Sequence, residues 1–232
     1  MRKEEMFSCF SHEEHGEHPD GKASMFQYNH NEHYADLLLR QVPSNCRSAL
    51  DVGCGDGSFA QRLADRFSAA VTGIDQDRTI IKRARMLAGD RAIRFVEADF
   101  LRYPFDEQFD FIAASASLHH MPFEQGLAKM ASLLRPGGML AVLGLFREAS
   151  LTDYAAALVA APVNVFYALS RGQIKSGAPV KPPDLSLQEI REITSDLLDG
   201  ARLRRLLLWR YLLTWQKPQV PAMDDSALLP QP

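Results

Sequence analysis

From Ser48 to Phe146 the chain alternates between short apolar runs and longer stretches of helical spacing. The runs are SALDVG, AVTGID, IRFVEAD, FDFIAAS and MLAVLGLF, and the first three end in glycine or aspartate. Between them, Ser58 to Phe67 places Phe59, Leu63 and Phe67 on one helical face. Thr79 to Leu87 predicts a second helix, and Phe123 to Leu134 a third, stopped by Pro136-Gly137-Gly138. Strands alternating with helices of this length form βαβ units around a parallel sheet. Their crossovers are right-handed, so the expected fold class is α/β with a doubly wound sheet.

The flanking segments read differently. Residues 1–24 are polar and are expected to be a flexible tail; His12, His15 and His18 follow Cys9 without a second ligand cluster, so no metal site is expected. Asn31 to Gln41 predicts a helix that ends before Pro43. Residues 151–171 predict an apolar helix interrupted at Pro162, and 172–184 a proline-bearing loop. Ser186 and Glu189 have the spacing of a capping box, which starts a helix through Leu198. The sequence ARLRRLLLWRYLLTWQKP predicts two strands and a tight turn, and 218–232 form a C-terminal tail. The main domain is thus expected at 25–217.

Composition narrows the function classes. A net charge of −3 gives no global attraction to nucleic acid, and no nucleic-acid partner is expected. The N-terminus has no apolar core of a secretory signal. The most apolar stretch, Tyr154 to Leu169, is too short to span a bilayer, so no membrane span is expected. Three irregularly spaced cysteines, Cys9, Cys46 and Cys54, suit a reducing, cytoplasmic location.

The chemistry starts at Asp51-Val52-Gly53-Cys54-Gly55-Asp56-Gly57, where the first strand turns into the first helix of the alternation. Glycines there let backbone approach a ligand at the carboxyl ends of the strands. The spacing is G-x-G-x-G; the dinucleotide fingerprint needs G-x-G-x-x-G, and Ser58 stands at its third glycine. No Gly-Lys-Ser/Thr follows, which excludes a P-loop. Asp51 and Asp56 would repel a pyrophosphate but suit an ammonium and a sulfonium, the charges of S-adenosylmethionine (SAM). Asp75, ending the second strand, can accept both ribose hydroxyls. Asp99 can accept from the adenine amine, and Phe100 offers an apolar face.

Together DVGCGDG, VTGID, EADF, FDFIAASASLHHM and LLRPGGMLAV resemble the successive motifs of class I SAM-dependent methyltransferases. The small-molecule branch, similar to quinone-biosynthesis C-methyltransferases, fits best. The resemblance covers residues 48–146 well and the final strands more loosely. It implies a Rossmann-like sheet of order 3-2-1-4-5-7-6 with the last strand antiparallel. It also implies SAM as cofactor, S-adenosylhomocysteine (SAH) as product, and Asp51, Gly53, Gly55 and Gly57 facing the methionine part. Asp75 would face the ribose and Asp99 the adenine, with Ser115 meeting the cofactor through its backbone. The segment 151–184 falls where this family builds its substrate cover, so Tyr154, Phe166 and Tyr167 are substrate-side candidates.

Methyl transfer mainly needs the nucleophile aligned and water excluded. An oxygen nucleophile must also lose a proton, and His119 or His120 could accept it; the alternative is a structural histidine. His33 and Tyr34 in the N-terminal helix are further candidates. Trp209, Arg210 and Tyr211 are placed at the cofactor edge by the expected strand directions, where Arg210 could pair with an acidic or planar acceptor or simply be solvated. The fourth strand is not followed by Asn/Asp-Pro-Pro-Tyr/Phe, which argues against a base-modifying enzyme. The expected function is methylation of a small molecule, oxygen ahead of carbon or nitrogen. The alternatives are an RNA or protein methyltransferase, or a SAM-binding protein that transfers nothing.

Overall fold

A computed structural model of the chain describes residues 30–147, 182–207 and 209–219. Seven strands form one sheet of order β3-β2-β1-β4-β5-β7-β6. They are β1 (Ser48–Val52), β2 (Ala70–Asp75), β3 (Ile93–Glu97), β4 (Phe109–Ser115), β5 (Leu134–Leu145), β6 (Arg202–Arg205) and β7 (Arg210–Gln216). The first five run parallel. β7 is antiparallel to β5, and β6 is antiparallel to β7, which returns β6 to the common direction.

Alternation along the strands decides which side chains face which layer. Ala49 of β1 and Phe111 and Ala113 of β4 pack on one face, against α1 (His30–Leu39), α2 (Ser58–Arg66) and α3 (Arg78–Ala88). Leu50, Val52, Ile112 and Ala114 pack on the other, against α4 (Phe123–Leu133) and α5 (Leu187–Leu197). Both faces are apolar because both are covered by helices. Among the described residues no helix is long and apolar enough to cross a membrane.

Helix starts follow local chemistry. The Asp77 carboxylate accepts from the Thr79 and Ile80 amides and begins α3. The Ser186 hydroxyl oxygen accepts from the Glu189 amide, and Glu189 Oε2 accepts from the Ser186 amide at 2.8 Å, completing the predicted capping box. The neighbouring Arg147 amide donates to Leu185 at 2.7 Å, so this cap also fixes where the chain lies beside the exit of β5. Ser186→Ala is expected to cost about 1 kcal/mol and lower the melting temperature by about 2–4 °C, read by thermal denaturation.

Two sequence expectations need correction. The third helix of the alternation ends at Leu133, and Pro136-Gly137-Gly138 lies inside β5 instead of between elements. Leu134 pairs with Phe109 and Met139 with Phe111, so the Pro-Gly-Gly residues form an irregular bulge that Gly137 permits with a φ of 78°. Lys217 holds it: its amide bonds Gly138 and its ammonium donates to the carbonyls of Ala131 and Leu134 at the end of α4. The sixth strand, expected over Ala201 to Leu208, is confined to Arg202–Arg205. The tail expected at 1–24, the helix at 151–171 and most of the 172–184 loop lie outside the described residues.

Candidate functional site

The strand order reverses direction between β1 and β4, and the carboxyl ends of those strands open a crevice there. The loop after β1 turns sharply at its edge. Gly53, Gly55 and Gly57 have φ of 69°, 54° and 78°, a region costly for any residue with a Cβ. The Gly53 and Cys54 amides both donate to the Ile74 carbonyl, which ties the loop to β2. A Cβ on Gly55 would meet nothing within 4 Å, so the loop's middle faces open space.

Three carboxylates lie on or beside this loop. Asp75 Oδ2 accepts from the Gly55 amide at 3.1 Å and Oδ1 from the Asp77 amide at 2.9 Å. Asp56 turns back to the Ser58 amide. Asp51 is only 1% exposed, and neither of its oxygens has a hydrogen-bond partner among the described residues. Burial pushes its carboxyl up to about 7, and the charges of Asp75 and Asp56 add to that; the Ala60 amide offsets part of the rise without completing a hydrogen bond. An unpartnered buried carboxylate beside two others is a site built for positive charge.

The neighbouring candidates fall into two groups. Asp99 is exposed, accepts from the Leu101 amide at 2.8 Å, and stands at the same edge after β3. Ser115 ends β4 and is half-buried. His119 and His120 occupy a single helical turn, Leu118–His120, with ring centroids 4.0 Å apart. Trp209 and Arg210 lie at the end of β5, where Arg210 pairs in register with Leu145. Phe100 and Tyr211, however, belong to the core. The Phe100 ring is 5% exposed and packs near Phe105 and Lys129, which leaves little of it open. Tyr211 is 2% exposed and its ring fills the space that Gly144 leaves; burial pushes its phenol far above the ordinary value. Tyr34 is 7% exposed, donates to the Leu207 carbonyl at 3.3 Å and lies under the Arg210 guanidinium, closing the β6–β7 turn. His33 lies in α1, but its side chain, like Tyr154, Phe166 and Tyr167, is outside the described residues.

A family model described as a methyltransferase domain matches residues 49–138. An uncharacterized methyltransferase of Mycobacterium tuberculosis is 36% identical over 200 residues, covering 82% of this chain and 98% of that protein. The chain belongs to the class I SAM-dependent methyltransferases. Over a shorter span, the methyltransferase resembles the 27-O-demethylrifamycin SV methyltransferase of Amycolatopsis mediterranei, 40% identical over 46% of this chain and 42% of the relative. The O-methyltransferase cnsE of Penicillium expansum is 36% identical over 49% of this chain and 45% of the relative. In fold, it superposes on the N-methyltransferase NodS of Bradyrhizobium japonicum in complex with SAH, with a TM-score of 0.57 at 18% identity over 81% of this chain and 87% of that one.

The methyltransferase's acids fit its methyl donor. SAM carries a sulfonium and an ammonium against one carboxylate, and the orphaned Asp51 oxygens and open Gly55 face supply the opposite charge and the room. Two residues absent from the sequence reading also hold this site. Ser117 is buried, and its hydroxyl donates to the Val52 carbonyl at 2.5 Å. Lys129 donates to the carbonyls of Leu101 at 2.9 Å and Tyr103 at 2.7 Å, pinning the loop that follows Asp99. Their partners are 65 and up to 28 residues away, and no local spacing announces such contacts.

Proposed function

We propose that this methyltransferase acts on a small-molecule acceptor, with oxygen methylation ahead of carbon or nitrogen. The observation that carries the reading is a cavity of about 650 Å3 at the end of β5, lined by Leu145, Phe146, Arg147, Pro182, Asp184 and Trp209 among others. That volume suits a metabolite, and its walls are mainly apolar with few charges. The O-methyltransferases among the relatives support oxygen. The net charge of −3 supports a partner other than nucleic acid, and the free thiols of Cys46 and Cys54 support a cytoplasmic location.

In this reading the glycine loop and Asp51 face the methionine part of SAM, Asp75 takes the ribose hydroxyls, and Asp99 and the Ser115 backbone meet the nucleoside. When bound, SAM supplies a methyl group already activated by its sulfonium. The protein's own work is to orient the acceptor, exclude water and accept a proton at His119 or His120. The segment 151–184 is read as the acceptor's cover, supported by Arg147 before it and Pro182 and Asp184 near its end, which line the same cavity.

Incubation with methyl-labelled SAM and fractionated small molecules, RNA and protein tests the reading. Label is expected in the small-molecule fraction; label confined to RNA or protein would contradict it. Once an acceptor is in hand, Arg210→Ala is expected to raise the acceptor KM roughly tenfold, the loss of one charge-assisted contact, with SAM affinity near wild type. Unchanged parameters in the folded variant would make the Arg210 turn structural.

A further inference from the structure

We propose that Ser117 is a positioning residue for methyl transfer, a latch that holds the histidine turn in register with the cofactor loop. The two segments arise from different strands. The glycine loop leaves β1, and the turn bearing His119 and His120 leaves β4, its neighbour at the crevice. Chemistry between a cofactor on one and a proton acceptor on the other requires a fixed separation, because small displacements of reacting groups lower rates steeply.

Ser117 supplies the physical link. Its hydroxyl donates to the Val52 carbonyl at 2.5 Å, and Val52 immediately precedes Gly53. A Cβ on Gly53 would lie 2.2 Å from the Ser117 Cβ and 2.8 Å from its Oγ, so the glycine makes room for this serine. The same residue's carbonyl accepts from the His120 amide at 3.0 Å. One residue therefore bonds the end of β1, one residue before the cofactor loop, through its side chain and the histidine turn through its backbone.

The geometry before and after Ser117 shows that the turn is held in a defined position. Ala116 has φ of 53°, a left-handed conformation unusual for a residue with a Cβ, and its amide donates to the Leu143 carbonyl at 2.7 Å. Such a conformation persists where its surroundings determine it. On the far side, Leu118 is 1% exposed, and a Cβ on Gly126 of α4 would lie 2.7 Å from Leu118 Cδ1 and 2.9 Å from Met121 Sδ. The turn is thus gripped by α4 below and by Ser117 against the cofactor loop, while His120 stays exposed and His119 half-buried.

The inference rests on SAM binding at the glycine loop, and the experiment separates the two. SAH is the probe, titrated calorimetrically into wild type, Ser117→Ala and Ser117→Cys. In parallel, the His119 and His120 ring resonances, assigned with His119→Gln and His120→Gln, are followed by NMR as SAH is added. Wild type is expected to bind SAH and to shift the histidine resonances. Ser117→Ala is expected to weaken SAH binding about fivefold, the loss of one hydrogen bond, and to lose most of the histidine response while remaining folded. A merely structural serine would lower the melting temperature without uncoupling the histidines from SAH. Ser117→Cys keeps the volume with a weak donor, and it is read in the same way if the alanine variant does not fold. SAH affinity and histidine response equal to wild type overturn the role of Ser117. Wild type that binds no SAH overturns the cofactor site and the latch together.

Discussion

Asp51→Asn is expected to raise the stability of the ligand-free protein at pH 8 while weakening its grip on SAM. In the folded protein the Asp51 carboxyl titrates at about 7 instead of 3.8, through burial first and the Asp75 charge second. The folded chain therefore holds the proton more tightly than the unfolded one between those values. The stabilisation this gives is fully present below pH 3.8 and is lost as pH rises to about 7. At 1.36 kcal/mol per unit, a shift of about 3 units sets an upper limit of about 4 kcal/mol lost by pH 8. Asparagine carries no such charge and escapes the loss. Melting curves from about pH 4 to about pH 8 should show wild type falling relative to the variant as pH rises, with the two meeting at the acid end. A variant less stable than wild type at pH 8 would show that the buried carboxylate has partners that the fold as described does not give it.

The same carboxylate favours a cation, so SAM binding should draw the proton off. Wild-type affinity is expected to fall as pH drops below about 7, by at most about tenfold per unit. Asp51→Asn should bind about 10- to 150-fold more weakly at pH 8, with little dependence on pH. Stability and function pull against one another at this one position.

Asp75→Ala is expected to show the other large effect. Asp75 ends β2, and both its oxygens already accept backbone amides, from Gly55 and from Asp77. Its removal deletes the proposed acceptor for the ribose hydroxyls and also frees the middle of the glycine loop, which it holds through the Gly55 amide. One charge-assisted contact is worth about 1.5–3 kcal/mol, and disorder of the loop adds to it, so SAH affinity should fall at least about 10- to 150-fold. Asp75→Asn keeps one carbonyl acceptor and should lie between the two.

The parallel core was legible because strands buried on both faces read as continuous apolar runs, and because acids and glycines at their ends mark the ligand edge. The Ser186 cap was legible because its partner is only three residues away. What was hidden depends on distant partners. The Pro136-Gly137-Gly138 bulge reads locally as a stop, yet Lys217, just past the last strand, holds it inside β5. Tyr211 was expected at the acceptor edge because the strand direction was right, but alternation turns Tyr211, Leu213 and Trp215 to the α4–α5 face and Leu212 to the other. Trp209 lies just before β7, and Arg210 is its first residue, beside Leu145 at the end of β5. The burial of Phe100 was hidden for the same reason: adjacency to Asp99 says where the backbone is, not which way the ring turns. Ser117 carries no local signal, since Val52 is reached only when β1 and β4 lie side by side.

The acids around the glycine loop are expected to select SAM and its product over a dinucleotide. Calorimetric titration of SAH and of NAD into wild type and Asp75→Ala tests it most directly. Wild type is expected to bind one SAH per chain, Asp75→Ala to lose at least about tenfold in affinity, and NAD to give no detectable heat. Equal SAH affinity in the two proteins, or NAD binding in place of SAH, would contradict it.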